Sequence, residues 1–255
     1  MTIQIEQFNC RSDNFGILLH HVESGLTALI DAPEEAAIMA AIERTGWAPS
    51  MILTTHHHTD HVEANPALKR RFGLEIIAPA KEADRIPGVD RTVKEGDVID
   101  FSGEPIRVIE TPGHTAGHVS YYLPGPGIVF TADTLFAMGC GRLFECPPTT
   151  MYDSLGKLAA LPPQTIVYCG HEYTLANARF AATIDPTNEA LAERLERVER
   201  MRENGQATLP TTIGDELATN PYLRCGDAAI RLNLGMQQAS DAEVFAEIRK
   251  RKDNF

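Results

Sequence analysis

No stretch of the 255-residue chain approaches the roughly 18 consecutive apolar residues that a membrane-crossing helix needs. The N-terminus, Met1-Thr2-Ile3-Gln4, lacks a basic stretch followed by an apolar one, so no secretion signal is read and a cytoplasmic location is expected. Cysteines number only five (Cys10, Cys140, Cys146, Cys169 and Cys225), and none form a C-x-x-C pair. That excludes a disulfide framework and a thiolate zinc site and fits a reducing compartment. Basic residues are outnumbered 35 to 23, a formal charge of −12, which argues against a phosphate-backbone partner and hence against nucleic acid. A G-x-S-x-G elbow and a Walker-type phosphate loop are also missing. The remaining composition, 43% hydrophobic, is that of an ordinary globular protein and too apolar for disorder. The length allows one large domain, or a main domain with a smaller companion.

The first two-thirds of the chain alternates strand and helix signals. Apolar and β-branched runs at Ile3–Phe8, Phe15–His21, Leu26–Asp31 and Met51–Thr55 read as strands. So do Leu74–Ala78, Val98–Phe101, Ile106–Glu110, Val119–Leu123, Ile128–Thr131 and Ile166–Cys169. Helical composition covers Pro33–Thr45, ended by Gly46, and a stretch after His61 running to Phe72, ended by Gly73. Beyond residue 172 the signals turn helical, at Thr174–Ile184, Thr187–Asn204 and a final helix opened by the capping box Ser240-Asp241-Ala242-Glu243. No strand candidate of comparable quality is seen there. The expectation is a mixed α/β domain over 1–172 and a helical domain over 173–255.

Nine histidines are present, and they are not scattered. Thr55-His56-His57-His58-Thr59-Asp60-His61 places four imidazoles and a carboxylate directly after an apolar strand, the ligand types that borderline and hard divalent cations accept. In an extended stretch His56 and His58 share a side and His57 faces the other, so His57 reads as structural. His114, Asp133 and His171 each follow an apolar strand, where loops of α/β proteins gather their sites. Taken singly, each is more often a satisfied structural residue. Taken with the histidine run they complete two ligand sets: His56, His58 and His114 for one ion, Asp60, His61 and His171 for a second, and Asp133 between them. His118 reads as orienting or structural, and Glu172 makes no H-E-x-x-H motif.

The pattern T-H-x-H-x-D-H followed by His114, Asp133 and His171 resembles the metallo-β-lactamase superfamily, whose fold is a four-layer αβ/βα sandwich. Within it the chain is most similar to the glyoxalase II (hydroxyacylglutathione hydrolase) family. That narrower resemblance rests on Asp13-Asn14-Phe15, Thr111–His118, Gly139–Glu145, Cys169–Thr174, Thr219–Arg224 and Arg249–Phe255. It implies a binuclear centre, with Zn²⁺ first and Fe²⁺ or Mn²⁺ as alternatives, and Asp133 and Asp60 as the catalytic carboxylates. It also implies that Arg142, Phe144, Tyr173, Arg249 and Lys252 hold a glutathione thioester, the small-molecule partner of a monomer. Two positions depart from the family: Arg142 stands where Lys is frequent and Phe144 where Tyr is frequent. Arg keeps the charge in another geometry, and Phe144 has no hydroxyl to donate.

The implied reaction is hydrolysis of S-D-lactoylglutathione to D-lactate and glutathione, a methylglyoxal detoxification step. Competing readings are an iron-dependent persulfide dioxygenase, which needs only one metal, another superfamily hydrolase such as a lactonase, a β-lactamase or an RNA-processing nuclease, and a non-catalytic metal-binding module.

Overall fold

The structure is a computed structural model that describes residues 2–255. Three strands begin it as an antiparallel meander: β1 (Ile3–Cys10), β2 (Asn14–His21) and β3 (Thr27–Ile30). Helix α1 (Glu35–Thr45) then returns the chain to β4 (Met51–Leu53), parallel to β3. Two helices, α2 (Thr59–Val62) and α3 (Asn65–Phe72), return it again to β5 (Glu75–Pro79), and β6 (Arg91–Val93) closes the sheet in the order β1-β2-β3-β4-β5-β6. Parallel pairs need such crossovers, because a tight turn can join only antiparallel neighbours. The apolar stripe Ile38, Ala41 and Ile42 of α1 and Leu68 of α3 pack with Leu18, Leu29, Ile52 and Ile76 in one core. Gly46 and Gly73 end their helices in the left-handed region, where a side chain would be strained.

The helix expected after His61 and ending at Phe72 is α3; a separate short helix, α2, carries Asp60 and His61 before it. Pro66 at the start of α3 has no N–H to give, so the ladder of α2 cannot run through it.

Further strands follow: β7 (Val98–Phe101), β8 (Glu104–Glu110), β9 (Val119–Leu123) and β10 (Ile128–Ala132), paired antiparallel in chain order. The start of β9 is tied to the exit of β4: Val119 N donates to Thr55 O, and the Tyr121 hydroxyl donates to Thr54 O at 2.7 Å. By packing, residues up to Glu110 and Ala116–Phe130 make one compact unit, and Thr111–Thr115 with Thr131–Phe255 a second.

In the second unit a short ribbon, β11 (Leu135–Phe136) and β12 (Gly139–Cys140), follows the end of β10. Helix α4 (Pro148–Ala159) leads to β13 (Ile166–Cys169), which lies beside Ala132 through Gly170 N–H to Ala132 O. Then come α5 (Thr174–Ile184), α6 (Glu189–Glu203), β14 (Thr211–Thr212), α7 (Ile213–Thr219), α8 (Ala228–Leu234) and α9 (Asp241–Asp253). The region past residue 172 is helical except for β14, two residues antiparallel to β13. Such a strand is too short to leave a period in the sequence. Helix α9 opens with the Ser240–Glu243 capping box, formed in both directions.

Candidate metal centre

The exits of β3 and β4 lie side by side, since Ile30 is paired with Leu53 and Asp31 N donates to Leu53 O. That adjacency delivers Asp31 and the histidine run to one place. Asp31 takes a left-handed φ of 56°, a conformation an aspartate tolerates better than most side chains. Its carboxylate accepts from Thr55 N at 2.7 Å, Thr55 Oγ1 at 2.8 Å and His61 Nδ1 at 2.8 Å. A carboxylate only accepts, so His61 carries its proton on Nδ1 and keeps the Nε2 lone pair for a cation. Because Thr55 gives its own proton to Asp31, its oxygen is left to accept from His56 Nδ1 at 3.0 Å. His56 therefore also presents Nε2 as a lone pair. That atom lies 3.2 Å from His58 Nδ1.

Asp31, His56 and His61 offer ligand atoms within 4.8 Å of one another. Asp60 Oδ2 is 3.6 Å from His61 Nε2 and is held by Asn14 Nδ2 at 3.0 Å. His57 turns the other way, with its backbone N–H and Nδ1 both on Glu82 Oε2, at 2.8 and 2.6 Å. The other oxygen of Glu82 accepts from Gly117 N at 2.7 Å. His118 is fully buried and stacks on His56 with ring centres 4.9 Å apart.

The second unit gathers His114, Asp133 and His171. Asp133 Oδ2 lies 3.3 Å from His114 Nε2, and its Oδ1 lies 3.4 Å from His171 Nε2. One carboxylate thus faces two imidazoles, an oxygen to each. His114 Nδ1 sits 2.9 Å from the Arg142 carbonyl, which can only accept, so the proton is on Nδ1 and Nε2 faces Asp133. Gly141 makes this packing possible, since a Cβ there would come within 2.0 Å of the Asp133 carbonyl oxygen.

The side chains expected at a substrate lie in this unit too. Tyr173, 38% exposed, stacks on His171 at 4.7 Å with planes 4° apart. Phe144, 60% exposed, meets the His114 ring edge-on at 5.2 Å. Lys252 donates to Ala176 O and lies over the rings of Phe180 and Phe255. Burial, with the positive charges of Arg249 and Arg142 nearby, lowers its pKa to about 8. Arg249 differs from its neighbours in the basic run. It is buried, with Nη1 donating to Cys140 O at 3.0 Å and Nε and Nη2 to Asp253.

Sequence reasoning gave no part to Asp31, Asn14 or Glu82 in holding ligands. Asp31 carried the same signal as Asp133, a carboxylate closing an apolar strand. Burial pushes the thiols of Cys10, Cys169 and Cys225 up to about 12 and that of Cys140 to about 11, so none is a thiolate near neutral pH.

The family model of the metallo-beta-lactamase superfamily matches residues 22–171, and that fold, mixed α/β with a helical C-terminal region, is the one described above. ETHE1 from Myxococcus xanthus shares it with a TM-score of 0.69 at 24% identity, over 98% of this chain and 90% of that one. TTHA1623, solved in a di-iron-bound form, superimposes with a TM-score of 0.64 at 26% identity, over 86% and 100%. The hydroxyacylglutathione hydrolase C-terminus model matches residues 172–255. Hydroxyacylglutathione hydrolases of Mesorhizobium japonicum and Chelativorans sp. are 68% and 66% identical, each over the full length of both chains. The chain belongs to the hydroxyacylglutathione hydrolase (glyoxalase II) family. The C-terminal match favours this family over a persulfide dioxygenase.

The donor atoms fit divalent cations. Imidazole nitrogens and carboxylate oxygens are their ordinary ligands. In His56, His61 and His114 the far nitrogen is held by a hydrogen bond that leaves the near one unprotonated.

Proposed function

We propose that the protein hydrolyses S-D-lactoylglutathione to D-lactate and glutathione at a centre of two divalent ions. His56, His58 and His114 would hold one ion, Asp60, His61 and His171 the other, and Asp133 would serve both. The observation that carries this reading is Asp133, whose two oxygens address two different imidazoles. Zinc is the first choice, with Fe²⁺ or Mn²⁺ admitted by the same ligands. Two such ions would supply Lewis acidity and lower the pKa of a water towards neutrality.

The chain's own residues do the rest. Asp31 and the Arg142 carbonyl fix the tautomers of His61 and His114. Arg142, Lys252 and the exposed face of Tyr173 hold the glutathione part, whose two carboxylates seek cations. Phe144 covers it with an apolar ring, and Arg249 holds the backbone at Cys140. The leaving group is a thiolate whose parent thiol has a pKa of about 8.5, so it departs without a dedicated proton donor. An amine leaving group would need one. Residues 1–172 act as the catalytic part and 173–255 as the substrate-binding part.

We place the enzyme in the cytoplasm as a monomer, without nucleic-acid or membrane partner. None of the five cysteines is in a disulfide, and among the described residues no helix is long and apolar enough to cross a membrane. The test is release of free thiol from S-D-lactoylglutathione, with metals counted on the same preparation. Two ions per chain with turnover support the reading; a single ion, or no thiol release, defeats it.

A further inference from the structure

The segment Thr219-Asn220-Pro221 stands far in the chain from every proposed ligand, yet its central side chain is fully buried. The Asn220 carboxamide is used at both ends. Its Oδ1 accepts from Tyr222 N at 3.0 Å. Its Nδ2 lies 3.2 Å from Phe136 O, 3.0 Å from Gly139 O and 3.0 Å from Glu216 Oε2. Glu216, also fully buried, accepts from Met138 N at 2.7 Å with that same oxygen. Its other oxygen accepts from Arg194 and Thr211, at 2.6 and 2.8 Å. Asn177 donates to Ala137 O, and Arg249 to Cys140 O. Every residue from Phe136 to Cys140 therefore has a backbone group held by a side chain from the C-terminal helical region.

The ribbon so gripped is not relaxed. Met138 sits at its tip with φ 52°, and Ala132 before it has φ 38°, left-handed positions that are strained for a residue with a side chain. A tip of this kind persists where the surroundings determine it. Here they do so through the amide of Met138 and through its side chain, buried among Ala178, Ala181, Leu191 and Val198. What the ribbon joins is telling. Asp133 stands two residues before it, and Arg142, whose carbonyl sets the His114 tautomer, two residues after it. Gly141 N–H closes it on Thr134 O.

We propose that Asn220 is a positioning residue for the metal centre: with Glu216 it clamps the β11–β12 ribbon and so sets Asp133 and, through Arg142, His114. The inference rests on the binuclear reading above. It gives the Thr219–Arg224 segment, and α7 before it, a part in holding metal as well as in the binding of glutathione by their region. The chemistry is specific. An amide offers two N–H donors to the two carbonyls and the carboxylate, one of them shared, whereas an acid of the same size meets all three as an acceptor.

The test compares full-length Asn220→Asp, Asn177→Ala and Asn233→Ala with the parent. Asn233 Nδ2 bonds Thr183 O and Ile184 O, a similar loop clamp that does not touch the ribbon. Four quantities are read: kcat, KM, metal retained after gel filtration, and amide exchange of residues 134–142. For Asn220→Asp the expected result is kcat and metal affinity down about 10–100-fold, KM within about twofold, and faster ribbon exchange. Asn233→Ala should lower the melting temperature yet leave kcat, metal content and ribbon exchange at parent values. Asn220→Asp with loosened ribbon amides but parental kcat and metal content overturns the clamp, and so does an equal loss in Asn233→Ala. Should Asn220→Asp not fold, Asn177→Ala removes a single ribbon bond and is judged by the same readouts, with a smaller loss expected and parental values overturning. If the parent retains metal but releases no thiol, the substrate assignment fails, while metal retention and exchange still decide on the clamp.

Discussion

Asp31 Oδ2 lies 2.8 Å from Nδ1 of His61, and both side chains are buried. The contact fixes one imidazole directly, and through Thr55 the same carboxylate fixes His56. Asp31→Ala should therefore weaken metal binding about 10–100-fold, with kcat falling alongside. Asp31→Asn keeps a side chain suited to φ 56° and should stay more stable than Asp31→Ala. Metal titration and thermal melting of both variants check the two statements.

Asp133 faces His114 and His171 with separate oxygens. Asp133→Ala should lower turnover by at least about 10²-fold and leave fewer than two ions bound, with the circular dichroism spectrum of the parent. Near-parental rates would show that the carboxylate does not bridge.

Stripping the metal with a chelator should abolish thiol release, and Zn²⁺, Fe²⁺ or Mn²⁺ should restore it. The stripped protein should also melt lower. At a free metal concentration a hundredfold above Kd, binding contributes about 2.7 kcal/mol, or roughly 5–10 °C for a chain this long. An unchanged melting curve would count against ions held by the folded state.

Lys252 has its pKa lowered to about 8 by burial first, then by Arg249 and Arg142. Below that pH it is a cation for a substrate carboxylate; as pH rises through about 8 the charge goes, so KM should climb while kcat holds. Lys252→Met should start with the higher KM and lose this pH step. Stability runs the other way. Between about 8 and 10.5 the unfolded chain binds the proton that the folded one has released, so this group makes stability rise with pH.

Arg194 and Glu216 form a buried ion pair at 2.6 Å. Arg194→Ala leaves the Glu216 carboxylate buried without its cation and should cost about 3–5 kcal/mol in a denaturant titration. A loss below about 1 kcal/mol, the scale of an exposed pair, would show that solvent reaches the site.

The strands around the site were legible because their composition and their ends agree. Met51–Leu53 and Ile166–Cys169 are apolar runs that stop at polar residues, and α6 begins at its Asn188 cap as helix signals allow. Helix α4 escaped reading, although Met151, Ser154, Leu155 and Leu158 make a buried stripe at helical spacing. Its Pro147-Pro148 start and internal Gly156 have the composition of a loop, and tertiary burial overrides that weak preference. In the site, the residues of ligand type were visible as a cluster, whereas Asp31, Glu82 and Asn220 were not. Their chemistry is ordinary, and only the partners that folding gives them distinguish them. Arg249 reads from the sequence as a glutathione contact, because one-dimensional charge does not record that α9 turns this side chain inward onto Cys140 O and Asp253.

Glu82 holds His57 at two points and Gly117 at a third. Counting imidazoles thus overstates what the loop offers a cation, since one of the four, His57, turns away to Glu82. Removing that anion by Glu82→Ala would free a competitor next to His56 and His58 and at the same time untie the turn before His118. Fidelity of metal loading then depends on an acidic side chain that is not itself among the proposed ligands.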